Sequence, residues 1–276
     1  MSLAADFVFS QASLQDYVDC PRRFQLRYLL RVAWPTPVAE PIRLAEEHLQ
    51  KGASFHRLVY QHLIGLPPEL LITTITDPQL RQWWEAYRQT PPPNLPAAIY
   101  PEITLSAPLA GRRLVAKYDV IAAAPESRLA IVDWKTNLRR PTRDWLERRL
   151  QTRVYRYVLV VAGGRFNRGQ QVLPEIVEMT YWFANFPAQP ERFRYDAAAL
   201  AADEGYLGDL IGEIILHAVD EALPMTDDTR RCRFCHYFSF CERGLGPADL
   251  TELEEEPEEG PDEMEIDLDQ IAEIEF

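Results

Sequence analysis

Two side chains of opposite charge close one apolar run: Asp133 and Lys135 stand two residues apart at the end of Leu129-Ala-Ile-Val-Asp-Trp-Lys-Thr-Asn137. An apolar, β-branched run reads as a buried strand. Side chains alternate faces along a strand, so Asp133 and Lys135 share one face and Trp134 takes the other. Neither charge is cheap to bury unpaired. Two readings compete: a strand-end salt bridge, or a carboxylate that holds a cation beside an amine that polarises water or phosphate. Asp119, 14 residues before Asp133, gives the second reading its weight. Two carboxylates converging from adjacent strands make a hard-cation site suited to Mg²⁺ or Mn²⁺.

The elements that must position these residues are legible from periodicity. Ala98 to Ser106 (holding Glu102), Arg113 to Ala122 (holding Asp119) and Arg128 to Lys135 read as an antiparallel meander, turned at Gly111 and at Pro125-Glu-Ser. Before them, Ser10 or Ser13 caps a helix through Leu14, Tyr17 and Val18, broken at Cys20-Pro21. A second helix runs from about Arg43, with Phe55, Leu58, Val59 and His62 in one stripe and His56 on its flank. Asp77-Pro78 starts a third, carrying Trp83, Trp84 and Tyr87. After the strands come a helix from about Thr142 to Ala162, a strand from Ile176 to Phe183, and a helix from Asp196 to about Leu223. Gln151 and Tyr155 share a face of the first of these, being four residues apart. Arg139, Arg140, Arg143, Arg148, Arg149, Arg153 and Arg156 crowd the same segment. They read either as a solvated surface or as a face that tracks phosphates.

The net charge of −13 is uneven. Residues 251–276 carry 13 acids and no Lys or Arg, and the remainder holds 29 acids against 29 bases. A neutral body with a local basic face is compatible with nucleic acid. The acidic segment is expected to be a disordered, solubilising tail. Its interspersed Met264, Ile266, Leu268, Ile271, Ile274 and Phe276 leave room for a docking peptide for a protein partner, or a DNA mimic on the arginine face. No stretch approaches a membrane span, and the opening residues lack a basic and apolar leader, so the expected address is cytoplasmic with no membrane partner. Four cysteines in such a chain point to metal rather than disulfides. Cys20 stands alone and Cys232-x2-Cys235-x5-Cys241 lies some 212 residues later. Zinc sites usually bring paired halves, whereas an iron–sulfur cluster has no need of them, and both remain open on spacing alone.

Asp119…Asp133-x-Lys135 resembles the PD-(D/E)XK nuclease superfamily, although Tyr118 stands where the name has proline. Gly52-x3-His56, Asp133-Trp134-Lys135-Thr136 and Gln151-x3-Tyr155 are similar to motifs of its RecB-like branch. Cys20 with Cys232, Cys235 and Cys241 resembles the iron–sulfur members, which include CRISPR-associated single-strand exonucleases and AddAB-type nuclease domains. The resemblance covers roughly residues 7 to 245. It implies an α/β, restriction-endonuclease-like core, a central mixed sheet flanked by helices, with helical additions and a clasp joining the two ends of the domain. The expected organisation is one nuclease domain over 1–250, with a catalytic core at about 43–185 and a clasp from 7–30 and 224–245.

The resemblance also implies roles. Asp119, Asp133 and Lys135 would be catalytic. His56, Asp119, Asp133 and the Trp134 carbonyl would hold Mg²⁺ or Mn²⁺, with Glu102 as an auxiliary acid. Cys20, Cys232, Cys235 and Cys241 would hold a 4Fe–4S cluster, with Zn as the alternative. Gln151, Tyr155, Arg148, Arg149 and Arg153 would hold DNA. The implied activity is a metal-dependent DNA exonuclease acting on single strands, in repair and recombination or in CRISPR adaptation, with those machineries as partners. The competing classes are a non-catalytic DNA-binding scaffold that keeps the fold, and a redox sensor built on the cluster.

Overall fold

The computed structural model describes residues 3–32, 40–241 and 243. The expected acidic tail at 251–276 lies outside the described residues.

Alternating apolar residues build one mixed, six-stranded sheet flanked by helices. β1 (Val8–Ser10) precedes a long antiparallel hairpin of β2 (Ala98–Leu109) and β3 (Arg112–Ala124). The hairpin turns at Ala110 and Gly111, both in the left-handed region with φ of 49° and 70°. β4 (Arg128–Lys135) pairs antiparallel with β3, so the expected meander is present. β5 (Val177–Phe183) runs parallel to β4, and β6 (Glu191–Arg194) closes the far side antiparallel to β5.

The long β3 is what joins this sheet. β2 covers one of its edges along its length. The other edge is divided: β1 pairs with Arg113 to Val115, and β4 pairs with Val120 to Ala124. Ala116 to Asp119 on that edge face neither strand.

The helices are α1 (Gln11–Asp19), α2 (Pro21–Phe24), α3 (Glu40–Leu63), α4 (Pro68–Leu71), α5 (Pro78–Gln89), α6 (Arg143–Arg148), α7 (Leu150–Ala162) and α8 (Ala197–His217), with a π-helical turn at Gln25–Leu29. They make a core on each face of the sheet. Leu129, Ile131 and Tyr181 join Val154 and Val158 of α7 and Leu207 and Ile211 of α8. On the other face Val132, Trp134 and Trp182 join Phe55 of α3 and Trp83, Trp84 and Tyr87 of α5. Ser10 caps α1 with a reciprocal bond to Ser13, and Asp77 and Asp196 cap α5 and α8 as their sequences predict.

Three differences from the sequence reading have local causes. The helix expected over 142–162 is two helices, because Arg149 takes an extended conformation (φ −63°, ψ 139°) between them. The break is supported by Thr152, whose hydroxyl donates to the Leu146 carbonyl at 2.5 Å. α8 stops at His217 rather than near Leu223. β1 and β6 went unrecognised, being three and four residues long, the second charged along its exposed face. No helix among the described residues is long and apolar enough to cross a membrane.

Candidate active site

The site forms where β3 and β4 part. The two strands are paired as far as Val120 and Val132, and Asp119 and Asp133 are the next residues on each. There the alternation of β3 slips: Tyr118 and Ile121, three residues apart, both enter the α7 core, while Val120 enters the α5 core. The residue facing Asp119 across the hairpin is Glu102, which holds a left-handed φ of 52°. Such a conformation is costly for a residue with a side chain and clusters where geometry is functional. With no strand pairing left, the Asp119 side chain takes over, and its Oδ2 accepts from the Trp134 backbone N–H at 2.8 Å.

Asp133 and Lys135 share a face, as strand alternation predicts. Lys135 Nζ is 3.0 Å from Asp133 Oδ2, and Gln151 of α7 donates to Asp133 Oδ1 at 2.7 Å. The ion pair does not give Oδ2 a hydrogen bond of good geometry, so this buried oxygen keeps lone pairs to offer. Burial pushes the Asp133 carboxyl up; Lys135 opposes this, Asp119 adds to it, and the result is about 7. Asp119 ends on the other side. Burial also raises it, but His56 and the Trp134 N–H outweigh that and hold it below the usual carboxylate range. The pair thus consists of one carboxylate held ionised and one carboxyl whose charged form burial disfavours.

The third element is α3. A Cβ on Gly52 would stand 3.2 Å from Thr136 Oγ1, so the absence of a side chain lets the helix lie against the end of β4. One turn on, His56 Nδ1 lies 3.2 Å from Asp119 Oδ1 and Nε2 lies 3.1 Å from the Trp134 carbonyl oxygen. Both neighbours are oxygen acceptors, so a carboxylate, a carbonyl and an imidazole meet at one point. Among the described residues no three His, Cys, Asp or Glu side chains enclose an ion as they stand. The donor chemistry nevertheless fits one, in the open Oδ2 of Asp133 and in a histidine flanked by a carboxylate and a carbonyl.

The other predicted residues divide. Glu102 joins the site: burial and the neighbouring Asp119 raise its carboxyl, against Lys117, whose Nζ is 3.2 Å away. Gln151 is within it. Tyr155 is buried on α7 against Tyr118, ring centroids 4.9 Å apart, rather than standing open to solvent. Of the arginines, Arg153 pairs with Asp203 at 2.7 Å, and Arg140 and Arg143 pair with Glu191. Arg156 is buried and donates to the carbonyls of Thr152 and Arg194. Arg149 is buried with its guanidinium 4.8 Å over the Trp145 ring, and Arg139 and Arg148 are exposed. Most of this cluster is therefore engaged within the fold, with Arg140, Arg143 and Arg156 bonded to β6 and Arg153 to α8.

Cys20, Cys232, Cys235 and Cys241 line one pocket although they come from opposite ends of the chain. All four are free thiols. Arg243 reaches it, its Nη1 3.8 Å from Cys232 Sγ. Burial pushes the Cys235 thiol up to about 11, against Arg23. The four thiols, each half-buried, thus share one pocket with guanidinium charge.

Asn185 was missed by the sequence reading. Its amide donates to the carbonyls of Thr136 (3.0 Å) and Asn137 (2.9 Å) and accepts from Trp83 Nε1 at 2.9 Å, fixing the end of β4 to α5. Nothing in its local sequence marks it. Lys117 was also passed over, although a cation two residues from Asp119 was a readable signal.

A model of a family described as the PD-(D/E)XK nuclease superfamily matches residues 8–98 and 78–242. No curated protein matches the chain. Among solved structures, the protein SSO0001 aligns at 12% identity over 87% of each chain with a TM-score of 0.39. A protein of Eubacterium rectale described as a "putative exonuclease" aligns at 10% identity over 90% of this chain and 93% of its own, TM-score 0.48.

Proposed function

The chain belongs to the PD-(D/E)XK nuclease superfamily, and from that premise we propose that it is a metal-dependent DNA exonuclease of the RecB-like branch, acting on single strands. Families of this kind hydrolyse nucleic acid with divalent metal. Asp119, Asp133, His56 and the Trp134 carbonyl would hold Mg²⁺ or Mn²⁺, with Glu102 as an additional acid. The metal would supply an activated water and charge neutralisation at the phosphate. Lys135, drawn to the site by Asp133, would orient a water and meet the charge that develops on the phosphoryl oxygens. Gln151 holds Asp133 Oδ1, and Oδ2, beside Lys135, would be the oxygen offered to the cation. The observation that carries this reading is the convergence of His56, Asp119, Asp133 and Lys135, from three separate elements, at the one point where the sheet parts.

The test is degradation of end-labelled single-stranded DNA in Mn²⁺ or Mg²⁺, with a circular single strand as control. Ladder shortening of linear DNA only is the expected result. Cleavage of the circle would overturn the exonuclease reading. Binding without any cleavage would leave a scaffold that keeps the fold.

The cysteine pocket supports a 4Fe–4S cluster, with Zn as its rival, acting as a clasp between the chain's two ends. The cytoplasm, and CRISPR adaptation or recombination as the setting, follow from the same branch. The acidic segment would serve a protein partner or shield the site. Removing 251–276 and measuring DNA affinity at low salt checks the shielding role, and unchanged affinity sinks it.

A further inference from the structure

Four of the arginines nearest α7 are engaged by Glu191 and Asp203, which turns attention to cations elsewhere around the acids. We infer that Lys117 and Arg113 form a phosphate track that leads a single DNA strand away from the acids over the outer face of β2 and β3; this rests on the nuclease reading above.

Lys117 lies in the stretch of β3 that faces neither β1 nor β4, two residues from Asp119, and its side chain is 50% exposed. Glu102 Oε2, 3.2 Å from its Nζ, holds it beside the acid group without covering it. Arg113 is also exposed and donates to Ser106 Oγ at 2.7 Å, a contact that fixes the guanidinium over the hairpin. Between the two cations alternation is regular: Leu114, Ala116 and Tyr118 all enter the α7 core. Arg113 and Lys117 therefore share the opposite face, about 14 Å apart at roughly 3.4 Å per residue, with the buried Val115 between them. Thr104 stands across from Lys117 and Ser106 across from Val115, so hydroxyls flank both cations. The acids at the end of this line are Glu102 and Asp119. A polyanion drawn along the cations thus has its leading phosphate delivered to the carboxylates and its trailing phosphates neutralised. Exposed cations in line with hydroxyls recognise backbone rather than sequence.

The test is fluorescence anisotropy with a labelled single-stranded oligonucleotide, in EDTA and across a salt series, using the full chain. Each phosphate contact on a single strand contributes about 0.7 to the slope of log affinity against log salt. The double variant Lys117→Gln, Arg113→Gln is expected to lose about 1.4 from that slope, and on the order of tenfold in affinity. Arg113→Gln alone, remote from the acids, loses about half of the slope change, and Lys117→Arg retains the wild-type slope. Cleavage in Mn²⁺ should show KM raised in Arg113→Gln, remote from the acids, with little change in kcat. An unchanged slope in both Arg113→Gln and the double variant, while the wild-type protein binds and cleaves, overturns the track alone. A wild-type protein that neither binds nor cleaves DNA overturns the nuclease reading instead.

Discussion

At the scale of single residues, the two aspartates are chemically different despite their matching positions. Lys135→Ala removes the amine proposed to meet the reacting phosphate and is expected to reduce cleavage by at least on the order of 10³-fold, with the fold retained in circular dichroism. A fully active variant would refute its role. The raised carboxyl of Asp133, at about 7, predicts how metal binding follows pH. A cation binds the ionised form, so binding must displace the proton. As pH falls from 8 to 6 the ionised fraction drops about tenfold, and the affinity for Mn²⁺ by titration calorimetry should drop with it. An affinity flat over that range would mean that Asp133 is ionised throughout. Asp119, Asp133, Lys135, His56 and Gln151 were legible because their types and spacings serve no packing purpose. Glu102 was only half legible, since its place depends on a left-handed backbone that no neighbouring glycine announces.

At the scale of elements, the site depends on how closely α3 and α5 approach the end of β4. Gly52→Leu would force its side chain against Thr136 and push His56 off Asp119; since sub-ångström placement governs such chemistry, cleavage should fall on the order of 10²-fold while the fold persists. Far-ultraviolet dichroism together with the rate checks it. Asn185→Ala leaves Trp83 Nε1 and two carbonyls of the β4 end without their amide. A loss of about 1–3 kcal/mol in denaturant unfolding is expected, with a larger fall in activity than a remote variant of equal stability shows. The arginine-rich segment shows why sequence was a poor guide here. Its partners, Glu191 and Asp203, come from β6 and from α8, 47 to 51 residues away, and only the folded chain brings them together. The break at Arg149 was hidden for a related reason, because a helix-compatible residue there turns extended once Thr152 and Tyr181 bond each other.

At the scale of the whole molecule, the ends of the domain are held together by more than cysteine. Gln25, fully buried in the π-helical turn, accepts from Leu223 N–H at 3.0 Å and donates to the Glu221 carbonyl at 3.1 Å. Asp19 pairs with Arg231 at 2.6 Å, beside Cys232. Gln25→Ala is expected to lower stability by about 1–3 kcal/mol even in metal-free protein, which thermal unfolding in chelator measures. Protein purified without oxygen should be brown, with broad visible absorbance; a colourless product with bound zinc would assign the pocket to that metal instead. The divided edge of β3 has a further consequence, for motion rather than chemistry. Sheets generally fray from their outer strands inward, and amide protons in the middle exchange last. Here a central strand carries a stretch, Ala116 to Asp119, with no strand on one side. Amides of this stretch that point into the opening should exchange with deuterated water well ahead of those of the outer strand β6, and slow once a substrate strand occupies the opening. The enzyme would then loosen from its centre, with its periphery the better protected part.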